Sequence, residues 1–224
     1  MLDWQSLWLT LRLATIVAAT LMLIGLPLAY WIAFSKQRWK FLVETVVALP
    51  LILPPTVLGF YLLIAFGSQS AFGRWWQSFT GHPLAFSFSG LVLGSVIYSL
   101  PFAVQPLTSS FSAVDRSLLA ASATLGVGKW STFWRVIVPL SVPGIITAVV
   151  LSFAHTVGEF GVVLMIGGNI PGVTRTISID IYDRVQAAEY PAANSTSLLL
   201  LVFSFCVLAI VYGVNRRRGL LGAR

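Results

Sequence analysis

The sequence predicts an all-α membrane protein with five transmembrane helices, the amino terminus outside and the carboxyl terminus cytoplasmic. Three observations carry this. Of 224 residues, 57% are hydrophobic and 9% charged, with mean hydropathy +0.88, well outside the soluble range. Uncharged runs long enough to cross a bilayer recur along the chain. The cations fall unevenly between alternate loops, as they do in membrane proteins with a fixed orientation. One transmembrane domain over 1–224 is expected, with spans at about 12–34, 45–66, 86–109, 140–160 and 197–215.

Leu13 to Phe34 is the first span, preceded by Asp3 and the interfacial aromatics Trp4 and Trp8. It lacks a basic start and has too long an apolar core for a signal peptide. After Lys36, Arg38 and Lys40, the chain is uncharged from Thr45 to Phe66. Pro50, Pro54 and Pro55 cannot all sit in a regular helix, so this second span must kink or break where neighbours satisfy the freed carbonyls. Broken spans line pathways in transporters, whereas a single proline is equally a tolerated kink. Gly67 to Pro83, with Arg74, Trp75, Trp76 and Phe79, reads as an outer interfacial loop, and the third span carries Pro101 and Pro106.

A polar stretch at 115–139 follows. Small residues Ala120, Ala121, Ser122 and Ala123, then Thr124 and Leu125, lead to a break at Gly126 and Gly128, a short run from Lys129 to Val138, and Pro139 and Pro143. The pattern is helix, turn, helix, stop, a candidate docking knob; an ordinary interfacial helix is the plainer alternative. The apolar run Val136 to Gly168 is interrupted by His155 and Glu159, and its first part is the fourth span. Ile177, Ile181, Val185 and Ala188 recur at helical spacing in the second outer segment, so a short amphipathic helix is expected before Pro191. The fifth span ends at Arg216, Arg217 and Arg218.

Ten cations (Lys36, Arg38, Lys40, Arg116, Lys129, Arg135, Arg216, Arg217, Arg218, Arg224) then lie inside and four (Arg12, Arg74, Arg175, Arg184) outside. The net charge of +7 is therefore a topology signal, not a basic stripe for nucleic acid. GVGKWS at 126–131 is no phosphate loop, since Ala123 stands where the first Gly belongs and Trp130 where Ser or Thr would hold magnesium. Cys206 has no partner, and His82 and His155 are far apart, so neither a disulfide nor a metal site is expected. Glu159 is the one carboxylate within an apolar run, a functional candidate because leaving it unpaired is costly. With His155 four residues earlier it reads as a proton relay or a structural hydrogen bond. Gly158 and Gly161 flank it and point to close packing or a hinge at a gate.

AASATLG (120–126) followed by VIVP (136–139) resembles the coupling loop of importer-class ABC permeases, although Ala120 stands where many members carry Glu. Together with LPLILPPTVLGFYLL (49–63) and GEFGVVLMIGGNIPGVTRTISIDIYD (158–183), it resembles the permeases of molybdate ABC importers; sulfate and tungstate permeases share a looser version. The resemblance spans nearly the whole chain. It implies the type I importer permease fold in a bacterial cytoplasmic membrane and a non-catalytic subunit without cofactors. It also implies a second copy of itself, two ATP-binding cassette subunits, and an extracytoplasmic molybdate-binding protein as partners. Ala120 to Gly126 and Gly128 would contact the ATPase, and Pro54, Pro55, Gly158, Glu159 and Gly161 would line the pathway or gate. The rival is a proton-driven carrier using Glu159 and His155, against which stands the lack of an inverted repeat.

Overall fold

A computed structural model describes residues 3–219, all helix and connection with no strand among them; Arg224, counted above among the inner cations, lies outside the described residues. The helices are α1 (Trp4–Phe34), α2 (Lys40–Ile52), α3 (Pro55–Phe66), α4 (Ala71–Thr80), α5 (Phe88–Ser112), α6 (Arg116–Thr124), α7 (Lys129–Thr132), α8 (Val138–Leu140), α9 (Val142–Gly158), α10 (Gly161–Gly167), α11 (Ile177–Gln186) and α12 (Tyr190–Gly219). A π-helical turn, Phe133–Ile137, joins α7 to α8. Three helices, α1, α5 and α12, are long and apolar enough to cross a membrane. Two bent pairs, α2 with α3 (112°) and the α7–α8 rod with α9 (75°), raise that to as many as five.

The centre is α1 against α5, with α9 along both. Asp3 caps α1 by accepting the backbone N–H groups of Gln5 and Ser6, which satisfies donors a helix start leaves free. From there Leu9, Leu13, Val17, Leu21, Ala29 and Ile32 are buried, a stripe at near-fourfold spacing that keeps one face of the helix on its neighbours. One end of the core joins Ile32, Val47, Leu107, Phe111, Phe133 and Ile137. The other joins Leu9, Leu13, Leu91, Val163 and Ile179. At this second end the Ile177 N–H donates to Thr10 Oγ1 at 2.9 Å across 167 residues, while the Thr10 hydroxyl donates to the Ser6 carbonyl at 2.7 Å.

Charge follows the two ends. The connections at the first end carry Lys36, Arg38, Lys40, Arg116, Lys129 and Arg135 against Glu44 and Asp115. At the other end Arg175 pairs with Asp183 at 3.4 Å and Arg184 with Asp180 at 2.8 Å. The expected outer interfacial segment contains α4, whose Phe72, Trp75 and Phe79 stack at 5.7 and 6.2 Å. The helix expected before Pro191 is α11, but it ends at Gln186, and Ala188 lies beyond it at φ 58°. Its inward face is Ile177, Ile179 and Asp180, while Val185 is exposed. The Arg184 pair lets Asp180 face inward, which apolar periodicity alone does not predict.

Candidate functional site

Two chain breaks meet each other. The first is forced by sequence. Residues ahead of a proline are pushed out of the helical region, and both Leu53 (ψ 134°) and Pro54 (ψ 134°) are extended, with Pro55 starting α3. The second lies between α9 and α10 and has no proline. There Glu159 is extended (φ −68°, ψ 134°), Phe160 stands at φ −130° and ψ −57°, and the Glu159 N–H reaches the Thr156 carbonyl at 3.4 Å. The breaks touch: a Cβ placed on Gly161 would lie 2.6 Å from Pro55 Cβ, and one on Gly59 would lie 2.7 Å from Met165 Cβ. Glycine on each helix therefore lets α3 and α10 approach to backbone distance, whereas Gly158 has open space around its Cα.

Around this junction lies a cavity of about 510 Å³ lined by Pro55, Thr56, Tyr98, His155, Gly158, Glu159 and Gly161 among others. Four of the five pathway residues expected from sequence line it, and the fifth, Pro54, precedes Pro55. Its depth follows from α5. Ser99 is 11 residues from Phe88 and 13 from Ser112, near the midpoint of that helix, and its hydroxyl bonds His155 Nδ1 at 2.9 Å and Thr156 Oγ1 at 3.1 Å. The His155 ring also stacks on Phe102 at 3.9 Å.

Glu159 and His155 form no pair. Glu159 lies beyond the last turn of α9, so the four-residue spacing no longer puts both on one helix face, and His155 turns instead to Ser99. Glu159 is 4% exposed, yet neither carboxyl oxygen has a hydrogen-bond partner among the described residues, and the nearby Ser95 hydroxyl is likewise unbonded. No Lys or Arg lines the cavity. The chemistry on offer is thus hydrogen bonding from Thr56, Tyr98 and the polar groups of α5 and α9, with no fixed cation to hold an anion tightly. Ser95, Tyr98 and Ser99 escape a sequence reading centred on carboxylates and prolines; the signal for them was Ser95 and Ser99 four apart in an apolar span.

The candidate docking knob lies at the cation-rich end. Asp115 caps α6 through the Ser117 N–H at 2.8 Å, and that bond holds its carboxyl below the usual carboxylate range. No residue of α6 is buried, and Leu125 beyond it is 80% exposed. Gly126 (φ 71°) ends the helix. The Gly126 N–H reaches the Ala123 carbonyl and the Val127 N–H the Ser122 carbonyl, both at 3.0 Å, which is the Schellman closure that favours glycine. Gly128, at φ −64°, is ordinary backbone ahead of α7, so the turn rests on one glycine of the expected two.

Residues 22–219 match the family of binding-protein-dependent transport system inner membrane components. The chain is 50% identical over 214 residues to the molybdenum transport system permease protein ModB of Azotobacter vinelandii, covering 96% of this chain and 95% of that one. It is 34% identical to the ModB of Escherichia coli K12, covering 93% and 90%. Among solved structures, a bacterial alginate ABC transporter in complex with an alginate pentasaccharide-bound periplasmic protein superposes with a TM-score of 0.71 at 18% identity, covering 95% of this chain and 78% of that one.

Proposed function

Because this chain belongs to the binding-protein-dependent inner membrane component family, and within it to the molybdenum transport permeases, we propose that it forms the molybdate pathway of an ATP-driven type I importer. Two copies enclose the pathway, since a symmetric pair closes a channel that five spans of one chain cannot. The cation-rich end faces the cytoplasm. There α6 seats on an ATP-binding cassette subunit, one per permease copy, with Ala120 to Gly126 at the contact. An extracytoplasmic molybdate-binding protein docks at the opposite end. The observation that carries this reading is α6, a helix with no fully buried residue, anchored to the core through the partly buried Leu119 at the end where the cations collect.

Movement at α6 passes through α7 and the π-helical turn to α9, whose far end is the break beside Pro55. ATP-driven closure of the two cassettes thereby shifts α9 and α10 against α3 and opens the cavity toward one side, then the other. A site without a fixed cation suits transit, because an anion held by hydroxyls, with no Lys or Arg beside it, leaves quickly. Selection of molybdate then resides in the binding protein. Titration of the isolated permease dimer with molybdate is expected to show no micromolar or tighter binding; such binding would mean that the permease itself holds a selective oxyanion site.

Reconstitution decides the mechanism. Proteoliposomes containing permease, cassette subunits and binding protein should accumulate molybdate only with ATP inside, and uptake driven by a proton gradient without ATP would establish a carrier instead. Orientation has its own test. In a Cys206→Ala background, Ser68→Cys between α3 and α4 should react with an impermeant thiol reagent from outside, and Gln37→Cys between α1 and α2 should not. The reverse pattern would invert the topology and remove α6 from the cytoplasm.

A further inference from the structure

An apolar groove of about 400 Å³ runs between α1 and the rod that follows α6. Its floor on α1 includes Met22, Leu26 and Tyr30, and its opposite wall is Trp130, Phe133 and Trp134. The aromatic wall is built: Trp130 stacks on Phe133 at 6.1 Å and meets Trp134 edge-on at 5.7 Å, while Tyr30 packs edge-on to Phe133 at 5.2 Å. The groove is not closed by the chain itself, for Leu23 is 78% and Trp130 73% exposed. Lys129 lines it, is exposed, and makes no ion pair among the described residues.

The dimensions match one leaflet of a bilayer. Met22 and Tyr30 are eight residues apart, about 12 Å along the helix axis, against about 15 Å for half of a bilayer's hydrocarbon core. At about 30 Å³ per water-sized unit, the volume holds on the order of a dozen methylene-sized groups. The apolar part lies along the span, Lys129 is at the end nearest the first-end connections, and indoles flank it, as amphipathic aromatics do at a membrane surface. We infer that this groove holds a phospholipid with a negatively charged headgroup, its acyl chain along Met22 to Tyr30 and its phosphate at Lys129. Charge complementarity selects that occupant over a protein helix, because one unpaired cation at the rim of an otherwise apolar slot fits a single phosphate above a hydrocarbon chain. The inference rests on the proposed orientation, which places Lys129 at the cytoplasmic leaflet, where anionic lipids attract basic residues. The lipid would abut the rod that follows α6, so its presence stiffens the link between knob and pathway.

Native mass spectrometry of the purified permease complex, after exposure to an equimolar mixture of phosphatidylglycerol and phosphatidylcholine, tests this. The wild-type complex is expected to retain phosphatidylglycerol preferentially. Lys129→Ala should lower that preference about five-fold, the effect of one lysine near an anionic surface, while Arg135→Ala, outside the groove, should leave it unchanged. Leu23→Trp, which fills the slot, should reduce retained lipid of both kinds. Equal retention of the two lipids by the wild type, an unchanged preference in Lys129→Ala, or disulfide cross-linking of Trp130→Cys between two copies would each overturn the assignment. Failure of the thiol-labelling orientation test would be seen separately, since lipid retention in detergent does not depend on sidedness.

Discussion

Gly161→Val will cut ATP-driven molybdate uptake by at least about five-fold while leaving the permease inserted and bound to its cassettes. The added Cβ would lie 2.6 Å from Pro55 Cβ, closer than carbon atoms approach, and Pro55 cannot swing aside because its ring is tied to the backbone that starts α3. Overpacking of this kind costs about 1–3 kcal/mol, small against insertion of the spans but equivalent to about 5- to 150-fold in the population of a conformational state. The cost falls where the proposed cycle has the two broken spans slide past each other. Gly158→Ala, with nothing within 4 Å of its added Cβ, is the comparison for folding: it should leave insertion and the contact between α3 and α10 intact, and because Gly158 lines the cavity any loss of uptake it causes is read separately from that contact. Equal uptake by Gly161→Val and wild type would show that the contact between the breaks does not move during transport.

Gly126→Val should be nearly as damaging at the other end of the molecule, by a different cause. Space is not limiting there, because a Cβ at Gly126 would meet nothing within 4 Å. Conformation is: φ 71° strains a β-branched residue, at a cost of about 1–3 kcal/mol, and relief of that strain undoes the two bonds that close α6. The helix then loses its fixed end, and with it the shape presented to the cassette. Stimulated ATP hydrolysis by the assembled complex should fall at least about five-fold and cassette retention on purification should drop. Gly128→Ala, at φ −64° and also in open space, should behave as wild type. Two glycines two residues apart thus give opposite results, and normal coupling in Gly126→Val would remove α6 as the docking element.

Much of this arrangement could be read from residue types. Pro54 and Pro55 announce a break because proline lacks an N–H and displaces its predecessor, a local rule that holds in any surroundings. The α6 turn was legible for the same reason, although sequence alone could not distinguish Gly126, which needs its positive φ, from Gly128, which does not. The second break was less legible. Nothing between Gly158 and Gly161 forbids a helix, and beyond the break α10 packs on α3 and α5, tertiary contacts of the kind that override weak local preference. The supposed Glu159 and His155 pair failed on this point, since i,i+4 geometry holds only while the helix continues. The donors Tyr98 and Ser99 were hidden because a polar residue in a span carries no mark of which neighbour it will face.

The bond from Ile177 to Thr10 joins positions separated by 167 residues, and that separation has a consequence for biogenesis. At translation rates of about 5–20 residues per second, the first helix waits about 8 to 33 s in the bilayer before its partner amide has been synthesised. Over that interval the Thr10 hydroxyl is not left bare, because it donates to the Ser6 carbonyl within its own helix and can accept the latecomer without giving up that bond. The end of the bundle that holds Thr10 is therefore latched late, with only the α12 span still to be made, and a chain arrested before residue 177 would lack this bond to its first helix.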